Sequence, residues 1–512
     1  MNKKSMLIIL IISMAIALRL IPFIFLREPL STDVWPLIHE GNLLINNVKI
    51  WNNTALGGYN NRIPGVLLFS QIVSISTGIS PYYIFSLFSF LIIPETMLLF
   101  YILVEKLGGN GIISIAFSFF IGSFLIFTSS LLKEVYAYPI FFLILFLSYF
   151  SNKIKDLIPI IISIPSLILT HPLPTVLIIG ITLLIPIIKR GVNYVSHINY
   201  DYKNDKYLII TGIFTLMSYL IYYYTYGINA IKGYYLNSFN FTFFIYLFFI
   251  TFTYVIFSPK NRNLNKFTYM LTILLGIILL LLSSFQNISL FYDKEYYWQI
   301  IILGIPLVFL VPSGFKLEFS KTKNHLIPSS LFILTITSIL YTIFSNPILQ
   351  IVTIRLTNYL IFWGGITIGL ISGFNKKIKK FTALISLISL LTGGLTITIL
   401  STNLIYQLHW FLSSNWRYSF GFVNSAITAY KLNGLNLTMY GDIKVSYFFS
   451  NLANINVNQP LLGNLNGLLL LYKGNYYLGY YLQDGIINLK SLPLSYNNLV
   501  LSSPYLSVFY YG

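Results

Sequence analysis

The chain alternates between long apolar stretches and short polar loops over most of its length. About a dozen of these stretches are roughly 17 to 25 residues long, the length that a helix needs to cross the hydrocarbon core of a bilayer. The pattern predicts an all-α polytopic membrane protein with about 13 transmembrane helices.

The first expected span is the apolar run 6–26, which is too long for a typical signal-peptide core and is expected to be retained. A later run, 63–78, opens with a Pro-Gly break, and counting it as a span would place the later basic loops outside. We therefore assign it to a long first external loop, 27–81, as an interfacial or re-entrant helix. The other spans are expected at 82–104, 112–130, 135–151, 157–170, 174–188, 208–224, 239–257, 267–283, 298–312, 326–344, 357–373 and 381–400.

Basic residues mark one side of this arrangement. Nineteen Lys and Arg side chains lie in the N-terminal segment and in every second loop, whereas seven lie in the intervening loops. Cytoplasmic loops carry such an excess, so we expect a cytoplasmic N-terminus. The larger set is Lys3, Lys4, Lys106, Lys153, Lys155, Lys189, Arg190, Lys203, Lys206, Lys260, Arg262, Lys266, Lys316, Lys321, Lys323, Lys376, Lys377, Lys379 and Lys380, and the smaller set is Arg27, Lys49, Arg62, Lys133, Lys232, Lys294 and Arg355.

Composition excludes a water-soluble protein, because 56% of the residues are hydrophobic and only 9% are charged, whereas soluble domains have about 25% charged residues. A formal net charge of +18 would suggest nucleic-acid binding in a soluble protein. Here the cations lie beside helix ends, so we expect membrane lipids and no nucleic acid as partners. The absence of cysteine excludes disulfide and thiolate chemistry.

The pattern changes after residue 400. Residues 401–512 are rich in Tyr, Asn and Gly, and period-two runs such as 468–472 and 499–510 are typical of strands. We expect a transmembrane domain at 1–400 and a small C-terminal α/β domain at 401–512. An odd number of spans places the second domain outside the cytoplasm.

Two external carboxylates are candidate catalytic residues. Asp33 closely follows the first span, and Glu134 lies at the outer start of a later one. Such groups deprotonate an acceptor hydroxyl or bind a divalent cation. Alternatives stay open: Asp33 suits equally the N-cap of a helix at 34–45, and Glu134 suits a helix N-terminus, where the dipole favours an acid.

Four external residues are candidate phosphate ligands. His171 lies in a proline-rich turn, where its imidazole either binds phosphate or sugar or simply faces the interface. Arg355 lies within an apolar run, where a guanidinium needs an anionic partner. That partner is either a lipid headgroup reached by snorkelling or a specific phosphate. Arg62 and Arg417 are further external arginines that suit the same anion.

The chain resembles the GT-C superfamily of integral membrane glycosyltransferases, which use polyprenyl-phosphate sugars as donors. Asp33 soon after the first helix, the entry Arg62-Ile63-Pro64-Gly65, the step Lys133-Glu134 and the turn Thr170-His171-Pro172 carry the resemblance. Motifs carry the resemblance over residues 1–190, and the expected architecture carries it over the remainder. That architecture, about thirteen helices and an outer C-terminal domain, is similar to that of oligosaccharyltransferase catalytic subunits and protein mannosyltransferases. The chain departs from the superfamily in having one acid where a pair is common, and it lacks the Trp-Trp-Asp-Tyr-Gly motif of oligosaccharyltransferases.

The resemblance implies sugar transfer with inversion to a glycan, lipid or protein acceptor on the outer face of the membrane. Asp33 would act as the base or, with Glu134, as a ligand of a divalent cation such as Mg²⁺ or Mn²⁺. Arg355 is the first choice for binding the donor phosphate, joined by Arg62, Arg417 and His171 from the candidates above.

A transporter or lipid flippase suits the helix count equally well. That class predicts charged or broken helices near the middle of the bilayer. Two residues of this kind are Arg19 and Glu95. We expect Glu95 to be buried and structural, either paired with Arg19 or protonated.

Overall fold

The computed structural model describes residues 2–257, 325–401, 420–432 and short segments between 437 and 511. Within these ranges it omits positions 32, 47–48, 52–57, 152, 228–237, 344–346 and 374–375. The described part is mostly helical, with a small sheet near the C-terminus.

The described residues up to 432 are mostly helical. The helices are α1 (Lys3–Leu26), α2 (Val34–Ile45), α3 (Gly58–Arg62), α4 (Gly65–Thr77), α5 (Pro81–Leu87), α6 (Ser89–Lys106), α7 (Gly111–Ser118), α8 (Gly122–Phe127), α9 (Lys133–Phe150), α10 (Leu157–Thr170), α11 (Pro172–Ser196), α12 (Asp205–Tyr222), α13 (Ser238–Phe257), α14 (Leu326–Ile343), α15 (Pro347–Ser372), α16 (Lys376–Ser401) and α17 (Phe420–Leu432). A 3-10 turn, Ile154–Asp156, precedes α10, and a π-helical turn, Tyr223–Gly227, follows α12.

Five of the described helices are long and apolar enough to span a membrane, or six if the bent pair α5 and α6 is counted as one span. The five are α1, α9, α11, α12 with its π-helical turn, and α16. This agrees with a membrane protein, but the described residues do not reproduce the expected thirteen spans. The expected spans 267–283 and 298–312 lie outside the described residues. The span expected at 157–170 is the 14-residue α10.

The single span expected at 112–130 is wrong, because the chain breaks between α7 and α8. Helices α15 and α16 pack against the two halves through glycines. A Cβ atom on Gly365 would lie 1.9 Å from Ser118 Oγ, and one on Gly393 would lie 1.8 Å from Phe120 O. Only glycine permits these approaches, so the break is set by tertiary packing that a local hydrophobic pattern does not contain.

Arg19 of α1 stabilises this break. Its buried guanidinium donates to the carbonyl oxygen of Phe119 at 3.2 Å, to that of Ala15 at 3.1 Å and to Thr128 Oγ1 at 2.9 Å. A carbonyl oxygen at a helix break needs such a donor where water is absent. The expected burial of Glu95 is wrong, since its side chain is exposed on α6.

An aromatic core lies between α6, α7, α8, α9 and α15. Phe362 of α15 is at its centre, with the ring centroids of Phe142 and Tyr138 of α9 at 4.8 Å and 5.2 Å. Edge-to-face contacts of this kind hold large rings in fixed positions. The core therefore fixes α15 against α9 about two turns away from Arg355.

The C-terminal segments form the expected strands. β1 (Met439–Gly441), β2 (Gly467–Tyr472), β5 (Leu499–Ser502) and β6 (Leu506–Tyr511) make a four-stranded sheet in the order β1-β2-β6-β5, with only β1 and β2 parallel among these strands. β3 (Tyr480–Leu482) and β4 (Gly485–Ile487) form a separate hairpin. Phe448 contacts Trp35 of α2 at a centroid distance of 5.4 Å, so part of this region lies against α2, which begins directly after Asp33.

Candidate functional site

Four expected site residues from separate segments lie at one end of the helix bundle. Helices α1 and α10 end there, and α9, α11 and α15 begin there, which places Asp33, Glu134, His171 and Arg355 on the same side. The opposite end carries the ion pairs Lys4–Glu105, at 2.7 Å, and Lys189–Asp205.

Arg355 joins two of the other candidates. Its Nη1 lies 2.9 Å from His171 Nε2, and its Nη2 lies 3.9 Å from Asp33 Oδ2. The side chains of Arg355 and Asp33 are 32% and 59% exposed, so a ligand has access to both. Helix α2 begins at Val34 as expected, and Asp33 occupies its N-cap position, but the Asp33 side chain makes no capping hydrogen bond.

His171 connects α10 to α11 in extended backbone, and its Nδ1 accepts the N–H of Leu173 at 3.2 Å. Burial, followed by the charges of Arg355 and Lys133, lowers the pKa of His171 well below its usual value. The ring is therefore neutral and has one N–H. If Nε2 carries the proton it faces the Arg355 donor, and if Nδ1 carries it, it faces the Leu173 donor. In either tautomer the N–H of the imidazole therefore faces another N–H donor. An added acceptor such as a phosphate oxygen would relieve this arrangement.

Glu134 lies behind Arg355 in the first turn of α9 and is buried. Tyr138, one turn later, donates its hydroxyl to Glu134 Oε1 at 3.1 Å. The Arg355 charge, Asn358 and Tyr359 act on the same carboxyl group. Because residues three and four positions apart share a helix face, Arg355, Asn358 and Tyr359 belong to one side of α15. Asn358 and Tyr359 were not identified from the sequence, although their spacing of three and four residues from Arg355 is a signal that could have found them.

A second charge pair lies beside Glu134. The buried Lys133 ammonium group interacts with the carboxylate of Glu40 on α2 and with the Arg355 charge. Burial raises the pKa of Glu40 to about 7, while Lys133 opposes the shift. Sequence reasoning gave neither residue a role. The pair connects α2, and therefore Asp33, with the start of α9.

The two remaining arginines are placed differently. Arg62 ends α3 and donates through Nη1 to the carbonyl oxygen of Tyr226 at 3.3 Å. Three residues later, Gly65 lies so close to α10 that a Cβ atom would be 2.6 Å from Thr170 Oγ1. The Arg62-Ile63-Pro64-Gly65 segment therefore passes next to the His171 turn. Arg417 lies outside the described residues.

The expected divalent cation has no evident ligand set in the described part of the chain. No group of three or more His, Asp or Glu residues there is arranged to bind a metal ion. The carboxylate of Asp33 faces the Arg355 guanidinium, so a cation at that carboxylate would meet a positive charge. This arrangement does not favour a metal ion between Asp33 and Glu134.

No protein-family model and no curated protein matches the chain. The resemblance to the GT-C superfamily therefore rests on the motifs and helices of this chain.

Proposed function

We propose that the protein is a membrane glycosyltransferase that transfers a sugar from a polyprenyl-phosphate donor to a glycan, lipid or protein acceptor outside the cytoplasm. The supporting observation is the meeting of Asp33, His171 and Arg355 beside helices with apolar outer faces. The donor has an apolar tail and an anionic head. A polar cluster that contains an arginine, at the end of apolar helices, suits both parts.

Each residue has a distinct role in this reaction. Asp33 accepts the proton of the acceptor hydroxyl, whose oxygen forms a bond to the anomeric carbon while the bond from that carbon to the phosphate oxygen breaks. Arg355 and the His171 N–H donate to the departing polyprenyl phosphate and stabilise its charge. When the phosphate binds Arg355, the ion pair between Arg355 and Asp33 breaks and the Asp33 carboxylate becomes free to accept the proton.

The geometry suggests a supporting role for Glu134 rather than the expected direct catalytic one. Its side chain is buried, at 1% exposure, whereas Asp33 is open to an acceptor. A carboxyl group behind the guanidinium orients Arg355 and balances its charge.

The test is sugar transfer by the full chain, purified and placed in lipid nanodiscs, from a panel of polyprenyl-phosphate sugars. We expect release of polyprenyl phosphate together with a glycosylated acceptor from at least one donor. Failure with every donor and with glycan, lipid and peptide acceptors, by protein that still melts cooperatively, would refute the proposal.

The broken helix α7–α8 and the buried Arg19 favour a transporter or flippase as the second candidate. However, the Arg19 guanidinium already donates to Ala15, Phe119 and Thr128, so these contacts satisfy the break internally. A flippase would move a labelled polyprenyl-phosphate sugar between the leaflets of proteoliposomes without any acceptor. Such movement without transfer would select this candidate.

A further inference from the structure

An aromatic cluster lies at the same end of the bundle as the candidate site. The ring centroids of Trp51 and Tyr226 are 5.3 Å apart at an interplanar angle of 32°, and those of Tyr222 and Tyr226 are 5.9 Å apart at 36°. Trp51 is 39% exposed and Tyr226 is 47% exposed. We call Trp51, Tyr222 and Tyr226 the aromatic platform. Its exposed rings form a surface open to a ligand.

Unusual backbone conformations position these rings. Trp51 has a φ of 62°, in the left-handed region that bulky residues rarely adopt, and its N–H donates to Asn61 Oδ1. Tyr226 belongs to the π-helical turn Tyr223–Gly227. Strained residues and π-helical turns are costly and cluster at functional sites. Two such features from distant parts of the chain meet in one ring pair.

Polar groups border the platform. Arg62 donates through Nη1 to Tyr226 O at 3.3 Å, and the Tyr222 hydroxyl donates to Arg62 O at 2.7 Å. A sugar ring has an apolar face of C–H groups and an edge of hydroxyl groups. Aromatic rings cover such a face, and a guanidinium at the border donates to the hydroxyls.

The platform is connected to the candidate site through α3 and α4. Asn60 of α3 interacts with Glu40, the partner of Lys133 beside Arg355. Gly65, at the start of α4, lies against Thr170, the residue before His171. These contacts connect the platform to the segments that carry Glu40 and His171 at the candidate site.

Trp and Tyr also anchor helices at the membrane interface, with their polar tips directed towards lipid headgroups. The platform departs from that arrangement. The indole N–H of Trp51 faces the hydroxyl of Tyr222 at 3.4 Å, and that hydroxyl donates to protein backbone. An anchor also needs no strained backbone. These contacts favour a ligand over a headgroup belt.

We propose that the aromatic platform, with Arg62 at its border, binds a saccharide unit of the acceptor, so that the acceptor is a glycan or a glycolipid. The acceptor role rests on the proposed function, whereas saccharide binding by the platform does not.

Binding is measured on the full chain in nanodiscs, without donor, by saturation-transfer NMR with cellobiose, chitobiose and mannobiose as probes. We expect at least one probe to bind and Trp51→Ala and Tyr226→Ala to weaken its binding at least tenfold. Tyr224→Ala is the matched control, since Tyr224 lies on the same π-helical turn and is 81% exposed. No ring contact joins it to the aromatic residues that the structure describes.

Three outcomes overturn the platform: no probe binds the unmodified protein, Trp51→Ala binds as Tyr224→Ala does, or the variants change only thermal stability in the bilayer, as an anchor would. In a transfer assay, Trp51→Ala should raise the acceptor KM and leave the donor KM unchanged. Saccharide binding without any transfer would refute the proposed function and keep the platform. Transfer with an unchanged acceptor KM in Trp51→Ala would support the proposed function and refute the acceptor role of the platform.

Discussion

Asp33 is the residue with the most direct role in the proposed reaction. Asp33→Asn removes the proton acceptor but keeps the shape of the side chain, so we expect a loss of about a hundred- to ten-thousand-fold in initial transfer rate. The thermal midpoint should stay near that of the unmodified protein, because the side chain is 59% exposed and makes no capping hydrogen bond. Asp201→Asn, at an exposed acid of the opposite end, is the control. A rate within a few-fold of normal for Asp33→Asn would remove the residue from catalysis.

Arg355 contacts two side chains from two nitrogens, His171 through Nη1 and Asp33 through Nη2. Lysine keeps the charge but offers one point of contact in place of the planar fork. We expect Arg355→Lys to weaken donor binding about tenfold and Arg355→Ala to weaken it further, measured as the donor KM or by titration with polyprenyl phosphate. Lys49→Ala, at an exposed cation, should have no effect. Equal donor binding by all four proteins would contradict the phosphate role.

Glu28 provides a pH test outside the membrane-spanning segments. Burial raises the pKa of Glu28 to about 7. The Tyr82 hydroxyl has two acceptors within donating distance, Arg27 O at 2.8 Å and Glu28 Oε2 at 2.9 Å. A protonated Glu28 would donate to Tyr82 Oη and leave the Tyr82 hydroxyl to donate to Arg27 O. Since the folded pKa lies above the unfolded one, stability is greatest at low pH and falls as the pH rises through about 7. Glu28→Gln mimics the protonated form, so its thermal midpoint should lack this fall. Parallel pH curves for the two proteins would contradict a protonated Glu28.

Adjacent glycines on α16 test the packing of whole helices. A Cβ on Gly393 would meet Phe120 O at 1.8 Å, whereas the nearest atom to one on Gly394 is Leu18 Cδ2 at 3.8 Å. Gly393→Ala must push α16 away from the α7–α8 break, and overpacking of this kind costs about 1–3 kcal/mol. We expect a clearly lower thermal midpoint for Gly393→Ala and an unchanged or slightly higher one for Gly394→Ala. Similar midpoints for both variants would mean that α16 does not approach the break closely.

The helices show which structural information a sequence pattern carries. The amphipathic helix expected at 34–45 is present as α2, and the run at 63–78 forms α4, because local periodicity and turn residues determine such elements. The run at 112–130 has no internal proline, so its break was not predictable. Its cause lies in Arg19 and in the glycines of α15 and α16, about a hundred residues away in one direction and over two hundred in the other.

At the candidate site, too, the sequence pattern predicted which residues share one end of the molecule but not every contact between them. Cation-rich alternate loops predicted that Asp33, His171 and Arg355 share one end of the bundle, and the described helices bring them together. The electrostatic interaction of Lys133 with Glu40 depends on how α2 packs against α4 and α5, which no local pattern contains.

The two ends of the bundle give the last prediction, because the proposed reaction needs the site on the outer face. Lys49 is exposed in the loop after α2, near the site end, and Lys155 is exposed in the turn between α9 and α10, at the opposite end. Lys49→Cys and Lys155→Cys are single cysteines in a chain that has none. An impermeant maleimide should label Lys49→Cys on intact cells and Lys155→Cys only in inverted vesicles, since we expect the end with the excess of Lys and Arg to face the cytoplasm. Labelling of both cysteines from one side would show that these ends do not face opposite compartments. The site would then have no outer face on which to meet a polyprenyl-linked sugar.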